Sequence, residues 1–83
     1  MSADQVYGPL TEVFRDVFDD STLVPTPTMT AKDVDGWDSF NHINLIVAIE
    51  ARFKVKFKTA ELEALRDVGQ LADMIATKIA ARG

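Results

Sequence analysis

The chain has 83 residues, of which 47% are hydrophobic, so it can build one small core and we expect a single domain over residues 1–83. It has no cysteine and a formal net charge of −4, which excludes disulfides, thiolate metal sites and cysteine nucleophiles and argues against nucleic-acid binding. It contains neither an apolar run of about 18 residues nor a signal-type segment, so we expect a cytoplasmic protein that does not insert into membranes.

The first predicted element is an amphipathic helix near the N-terminus. Two start signals compete for it: Ser2 with Gln5 forms a capping-box pattern, whereas Gly8-Pro9 is typical of the first helical position. A start at Ser2 would place Pro9 inside the helix, where it removes a backbone hydrogen bond. The sequence therefore leaves residues 3–8 open. The apolar residues at helical spacing are Val6, Leu10, Val13, Phe14, Val17 and Phe18.

A long connection follows over residues 19–37, where the helical period fails and Pro25, Pro27 and Gly36 are typical of a loop. Loops above roughly 12 to 15 residues are usually functional or disordered. This one contains several apolar residues, which favour packing over disorder. We therefore expect it to lie across the helices, with one short turn after Thr30.

The second helix is predicted to begin at Ser39, because the carboxylate of Asp38 is a good N-cap for free backbone N–H groups. Its apolar residues cover more than one stripe, which is excessive for a helix with a single neighbour. We assign the inward face to Leu45, Ile46 and Ile49. The face nearer Ser39, which we expect to contact a partner or ligand, carries Phe40, Ile43 and Val47.

The remainder of the chain predicts an extended linker and two more helices. The segment "KVKFKTA" alternates like a strand, but its three lysines and the absence of a second strand candidate favour a linker. Thr59 is predicted to cap a short helix through about Arg66, and Asp67 with Gln70 to start the last helix. The fold class is therefore all-α: a small four-helix bundle of three main helices and one short helix, with a long loop between the first two.

Two catalytic or metal-binding interpretations compete for the residues around Ser39. Asp38, Ser39 and His42 are the residue types of a hydrolytic triad, but neighbours on one helix cannot easily form the relay, and we expect His42 to be an exposed helical residue. Asp33, Asp35 and Gly36 resemble the start of a calcium loop, yet the glycine falls too early for an EF-hand. We therefore predict no catalytic residue and no built metal site.

Three stretches together resemble the acyl carrier protein family: "GWDSFNHINLIVAIEARF", the preceding "VDGWDS", and "DVGQLADMI" near the end. The family's signature is an Asp-Ser-Leu-like tripeptide that opens the second helix, and the resemblance covers nearly the whole chain. It implies that a phosphopantetheinyl transferase attaches 4′-phosphopantetheine from coenzyme A to Ser39. The arm would supply the thiol that the chain lacks and carry an acyl group as a thioester. The chemistry would then belong to acyl-loading and acyl-using partner enzymes.

The chain departs from the family pattern along the second helix. Phe40 stands where the family usually has leucine, and Asn41, His42 and Asn44 occupy a stretch that is usually acidic. Partner docking is therefore expected to involve a less basic and more apolar enzyme face than usual. The residues expected to dock are Asp38, Phe40, Ile43, Val47 and Glu50.

The resemblance leaves the cargo open between fatty acyl, polyketide, lipid A-type and aminoacyl or peptidyl groups. An unmodified helical interaction module that has kept the fold is the alternative from another class. In either case we expect a monomer.

Overall fold

The structure is a computed structural model that describes residues 2–82, so Met1 and Gly83 of the expected domain lie outside it. Within this range the chain forms four α-helices, α1 to α4, and one 3-10 turn, and contains no strand. The elements are α1 (Ala3–Phe18), the 3-10 turn (Ala31–Asp33), α2 (Ser39–Phe53), α3 (Thr59–Ala64) and α4 (Val68–Arg82). The predicted all-α class, the long loop and the negligible strand content are confirmed.

The start of α1 follows the capping box. The Ser2 backbone N–H donates to Gln5 Oε1 at 2.8 Å, and the Gln5 N–H donates to Ser2 Oγ at 3.4 Å. Pro9 lies inside the helix, so its missing donor is tolerated. Of the two start signals, the reciprocal cap therefore prevails over Gly8-Pro9, because it provides partners for two N–H groups that a helix start leaves without intrahelical acceptors.

One hydrophobic core joins α1, α2 and α4. Within the described chain α1 packs against both of the other long helices. Leu45, Ile46 and Ile49 point inward, as predicted. Val6, Leu10 and Phe14 of α1 and Val68, Leu71 and Ile75 of α4 complete the centre of the cluster.

The loop over residues 19–38 is packed onto the helices, as expected. Arg15 Nε donates to the carbonyl of Leu23 at 2.9 Å. At the other end, the first backbone N–H groups of α4 donate to Pro27 O and Met29 O, each at 2.9 Å. The predicted turn after Thr30 is the 3-10 turn, and its cap is a hydrogen bond from the Lys32 N–H to Thr30 Oγ1. The loop is thus bonded to two helices.

The segment around α3 differs from its prediction in two details. Thr59 is the first helical residue rather than the cap; Lys58 precedes it, and the Lys58 N–H donates to Glu61 Oε1 at 2.8 Å. The helix ends at Ala64, two residues before the predicted Arg66. The Glu61 carboxylate, inside the first turn, accepts the hydrogen bond at this helix start. The sequence pattern placed the cap at Thr59 because threonine is a common cap residue.

Candidate functional site

Ser39 is the first residue of α2 and is exposed. The preceding Asp38 is the N-cap that the sequence predicted, and its Oδ1 accepts from the Asn41 N–H at 2.8 Å. The His42 N–H donates to the Asp38 carbonyl at 2.8 Å. Helix geometry leaves the N–H groups of Ser39 and Phe40 without intrahelical acceptors. The hydroxyl therefore stands at the positive end of the helix dipole, where an anionic substituent is favoured.

The loop entering α2 is fixed by a second polar contact. Gly36 adopts a positive φ of 85°, a conformation that side chains beyond glycine rarely take. Its carbonyl accepts from Asn41 Nδ2 at 2.7 Å. The backbone N–H of Asn41 thus donates to the N-cap Asp38, and its side-chain amide donates to the loop at Gly36. An acid at this position would lose the amide donor, so its departure from the acidic pattern has a structural reason here.

Trp37 connects the core to the surface beside Ser39. On one side its ring lies edge-on to Phe14, with centroids 5.5 Å apart, and 5.7 Å from Phe18. On the other side it stacks on His42 at 6.2 Å and donates from Nε1 to His42 Nδ1 at 3.1 Å. The expectation that His42 is an exposed residue is wrong, because it is half-buried against the indole.

A cavity of about 80 Å³ lies next to this stacked pair. It is bounded by the loop, by α2, by the segment that joins α3 to α4 and by the first turn of α4. Sequence patterns did not reveal it, because its walls come from residues far apart in the chain. The lining residues are Ala31, Trp37, His42, Leu65, Arg66, Asp67 and Leu71.

The predicted outward face of α2 is strongly exposed. Phe40, Ile43 and Val47 are 73%, 63% and 59% exposed, and we call these three residues the α2 stripe. Asp38 is also exposed. Glu50 differs from these four: it is half-buried, and its Oε2 accepts from the Phe57 N–H at 2.8 Å, so that carboxylate holds the linker after α2.

The structure gives no support to the two competing interpretations of this region. His42 Nδ1 accepts from Trp37, and the hydrogen bonds of the described residues include none between Ser39 and His42. Among residues 2–82, no group of three or more His, Asp or Glu is arranged to hold a metal ion. The chemistry available at the start of α2 is therefore that of an exposed hydroxyl at a helix N-terminus.

The comparisons with known proteins agree with this geometry. The chain is similar to a holo acyl carrier protein from Geobacter metallireducens, solved in solution by NMR, with 45% sequence identity and a TM-score of 0.88. The match covers 93% of this chain and 88% of that one. No protein-family model matches the chain, and neither does any curated protein. In the part of the chain that the structure describes, no helix is long and apolar enough to cross a membrane.

Proposed function

We propose a carrier function for this chain, which belongs to the acyl carrier protein family. In this function Ser39 holds a 4′-phosphopantetheine arm, and the arm presents acyl groups to biosynthetic enzymes. The observation that carries the proposal is the exposed Ser39 hydroxyl at the start of α2, in a chain 45% identical to a holo acyl carrier protein. The chain acts as the substrate of its partner enzymes and not as a catalyst.

The residues around Ser39 fit such an arm. The attachment would convert the hydroxyl into a phosphodiester, whose negative charge is stabilised by the N-terminal end of α2. Asp38 already uses Oδ1 to cap Asn41, so it holds the helix start in place without covering the serine. When bound, the arm supplies the thiol that forms a thioester with the cargo, a group that no residue of this cysteine-free chain offers.

The surface beside Ser39 supports docking of partner enzymes. Any enzyme that acts on the arm must approach the start of α2, and the α2 stripe lies within about the first two and a half turns of that helix. Burial of these apolar side chains would provide the main favourable free energy of docking. We assign docking to Asp38 and the α2 stripe, whereas Glu50 contributes through the linker that it holds.

The first partner is a phosphopantetheinyl transferase with coenzyme A, and the later partners load and use acyl groups in fatty acid, lipid or polyketide-type biosynthesis. The test is co-expression with a broad-specificity transferase, followed by intact-protein mass spectrometry. We expect a gain of one phosphopantetheinyl group in the wild type and none in Ser39→Ala. Ser21→Ala, which removes an exposed hydroxyl from the loop, is the matched control and should be loaded fully.

Two results would contradict the proposal. Modification of Ser39→Ala would show that another residue carries the arm. An unmodified wild type, with a positive control carrier loaded in the same cells, would favour the unmodified interaction module. Circular dichroism of Ser39→Ala should match the wild type, because an exposed hydroxyl contributes little to the core.

A further inference from the structure

The charges of this protein are unevenly placed with respect to the α2 stripe. Residues 39–58, which comprise α2 and the linker after it, contain one carboxylate, Glu50, and four cations. The rest of the sequence has twelve carboxylates and five cations. A chain with an overall charge of −4 therefore has one segment of opposite sign, in which Arg52 pairs with Glu12 of α1 at 2.7 Å, so the cations that remain for a partner are the lysines at and after the end of α2.

The single carboxylate of α2 is directed toward the protein itself. Glu50 is half-buried and binds the Phe57 N–H. The first turn of α2 has no acidic residue, and Asn41 is bonded to Gly36. Beyond the N-cap Asp38, α2 therefore offers a partner no exposed carboxylate to attract positive charge.

The cations gather at the far end of the stripe. Lys54 follows Phe40 by fourteen residues, close to four helical turns, which places it on the same side of α2 about 21 Å further along. It is exposed and ends the helix in the left-handed conformation, with φ of 57°. The exposed Lys56 lines one open cleft together with Lys54 and Lys78. We call Lys54 and Lys56 the lysine end.

We propose that the partner surface that docks on α2 is an apolar groove bordered by carboxylates, with those carboxylates facing the lysine end. This inference rests on the proposed carrier function and adds the chemistry of the partner. The groove buries the α2 stripe, and the carboxylates set the orientation and the rate of encounter through charge complementarity. A groove bordered by lysine and arginine would instead meet like charge beyond Val47.

Two other occupants are disfavoured by the same observations. A second copy bound lastingly on the α2 stripe would cover the start of α2 and Ser39, which the carrier function requires to be accessible. An anionic lipid surface would attract the lysine end but would repel the twelve carboxylates of the rest of the chain. An apolar protein groove bordered by carboxylates matches both surfaces, because its apolar part would bury the stripe and its carboxylates would face the lysine end.

The test is an NMR titration of the ¹⁵N-labelled holo protein with two designed helical peptides. Both peptides carry the same leucine face, and the flanking positions are all Glu in one and all Lys in the other. At low salt we expect the Glu-flanked peptide to bind about tenfold more tightly, with shifts confined to residues 40–56. This preference should shrink at about 0.5 M NaCl, where surface charges are screened.

Matched variants separate the apolar and the charged contributions. Val47→Asp should weaken both peptides, whereas Val24→Asp should not, because Val24 is a 55% exposed apolar residue of the loop that is not part of the stripe. Lys56→Glu should reduce or reverse the Glu preference, and Lys32→Glu should leave it unchanged. Lys56 lies in the linker, so its substitution avoids the helix end at Lys54.

Equal or tighter binding of the Lys-flanked peptide would overturn the proposal, as would shifts that map away from the stripe or no shift with either peptide. Stripe shifts with anionic phosphatidylserine vesicles but with neither peptide would assign the surface to lipid instead. The titration is repeated on Ser39→Ala protein, which needs no arm for docking. A failure of loading at Ser39 is therefore distinguished from a failure of the docking surface.

Discussion

Trp37 shows how one side chain connects the core to the surface next to Ser39. Its ring packs on Phe14 and Phe18, while its Nε1–H donates a hydrogen bond to His42 Nδ1. Trp37→Phe keeps most of the ring packing and removes the donor, so we expect the free energy of unfolding to fall by about 1 kcal/mol. The measurement is denaturant unfolding followed by circular dichroism, since the chain has a single tryptophan.

A double-mutant cycle isolates the hydrogen bond from the change in ring size. In a His42→Ala background, Trp37→Phe should cost less than in the wild type, with a coupling energy of about 0.5 to 1.5 kcal/mol. Equal costs in the two backgrounds would show that the Trp37–His42 contact contributes nothing to stability. Either result leaves the packing of Trp37 on Phe14 intact.

At this scale the sequence predicts contacts that depend on near neighbours. The cap of Asp38, the start at Ser39 and the outward direction of the α2 stripe follow from local hydrogen bonding and helical period, and the structure confirms them. The stack of Trp37 on His42 depends on how the loop is folded against α1. Trp37 and His42 are five residues apart, and Trp37 precedes the helix, so helical spacing could not predict that their rings meet. For this reason His42 was predicted to be exposed.

Among the helices, α1 packs against α2, and this contact contributes to the stability of the fold. Ile49 is fully buried between the helices, so Ile49→Ala should lower the free energy of unfolding by roughly 2 to 5 kcal/mol through lost burial and a residual cavity. Val47→Ala, on the exposed side of the same helix, should change it by less than about 0.5 kcal/mol. Similar denaturant midpoints for the two variants would show that the inward face is misassigned.

The start of α4 is fitted to the loop at Gly69. A Cβ there would lie 2.9 Å from the carbonyl oxygen of Pro27, the same atom that accepts from the Gly69 N–H. Alanine is favoured over glycine inside a helix by about 1 kcal/mol, but here the backbone of the loop must shift. We expect Gly69→Ala to lower the free energy of unfolding by about 1 to 3 kcal/mol.

Thr77→Ala, at an exposed position of the same helix, is the control and should be neutral or slightly stabilising. A thermal denaturation series compares the two variants with the wild type. If Gly69→Ala melted above the wild type, the loop would be free to leave α4. The loop would then be held on α4 less firmly than the hydrogen bonds to the carbonyls of Pro27 and Met29 imply.

Element boundaries were predictable where one signal acted alone. Asp67 and Gln70 marked the start of α4, and the Gln70 N–H does donate to Asp67 Oδ1 at 2.8 Å. At α1 the capping box and Gly8-Pro9 gave opposing signals, and the reciprocal hydrogen bonds of Ser2 and Gln5 prevail in the structure. At α3 the acceptor was Glu61, three residues beyond the cap, and a threonine at the boundary drew the prediction one residue too far.

For the whole molecule, α3 is the helix least supported by burial. None of its residues is buried, although Leu62 packs partly against the core. A charged contact links it to α4: Lys78 Nζ lies 2.8 Å from Glu61 Oε1 and 5.3 Å from the ring centroid of Phe57. The attachment of this helix therefore depends on ionisation as well as on apolar packing.

This contact predicts a loss of stability in acid. The side-chain hydrogen bond from Lys78, followed by the backbone N–H of Lys58, lowers the pKa of Glu61 from its ordinary value of 4.5. The hydroxyl of Thr22, followed by its N–H, lowers the pKa of Asp20 from 3.8. A lowered pKa means that the folded state favours the carboxylate, so the contribution of the carboxylate to stability is present above the unfolded pKa and is lost as the pH falls through the folded pKa.

The free energy of unfolding should therefore decline as the pH drops below about 4.5. Glu61→Gln should flatten that decline, whereas Glu63→Gln, at an exposed position of the same helix, should retain it. An acid slope in Glu61→Gln as steep as in the wild type, measured by denaturant unfolding across the pH series, would show that the link between α3 and α4 does not depend on this carboxylate.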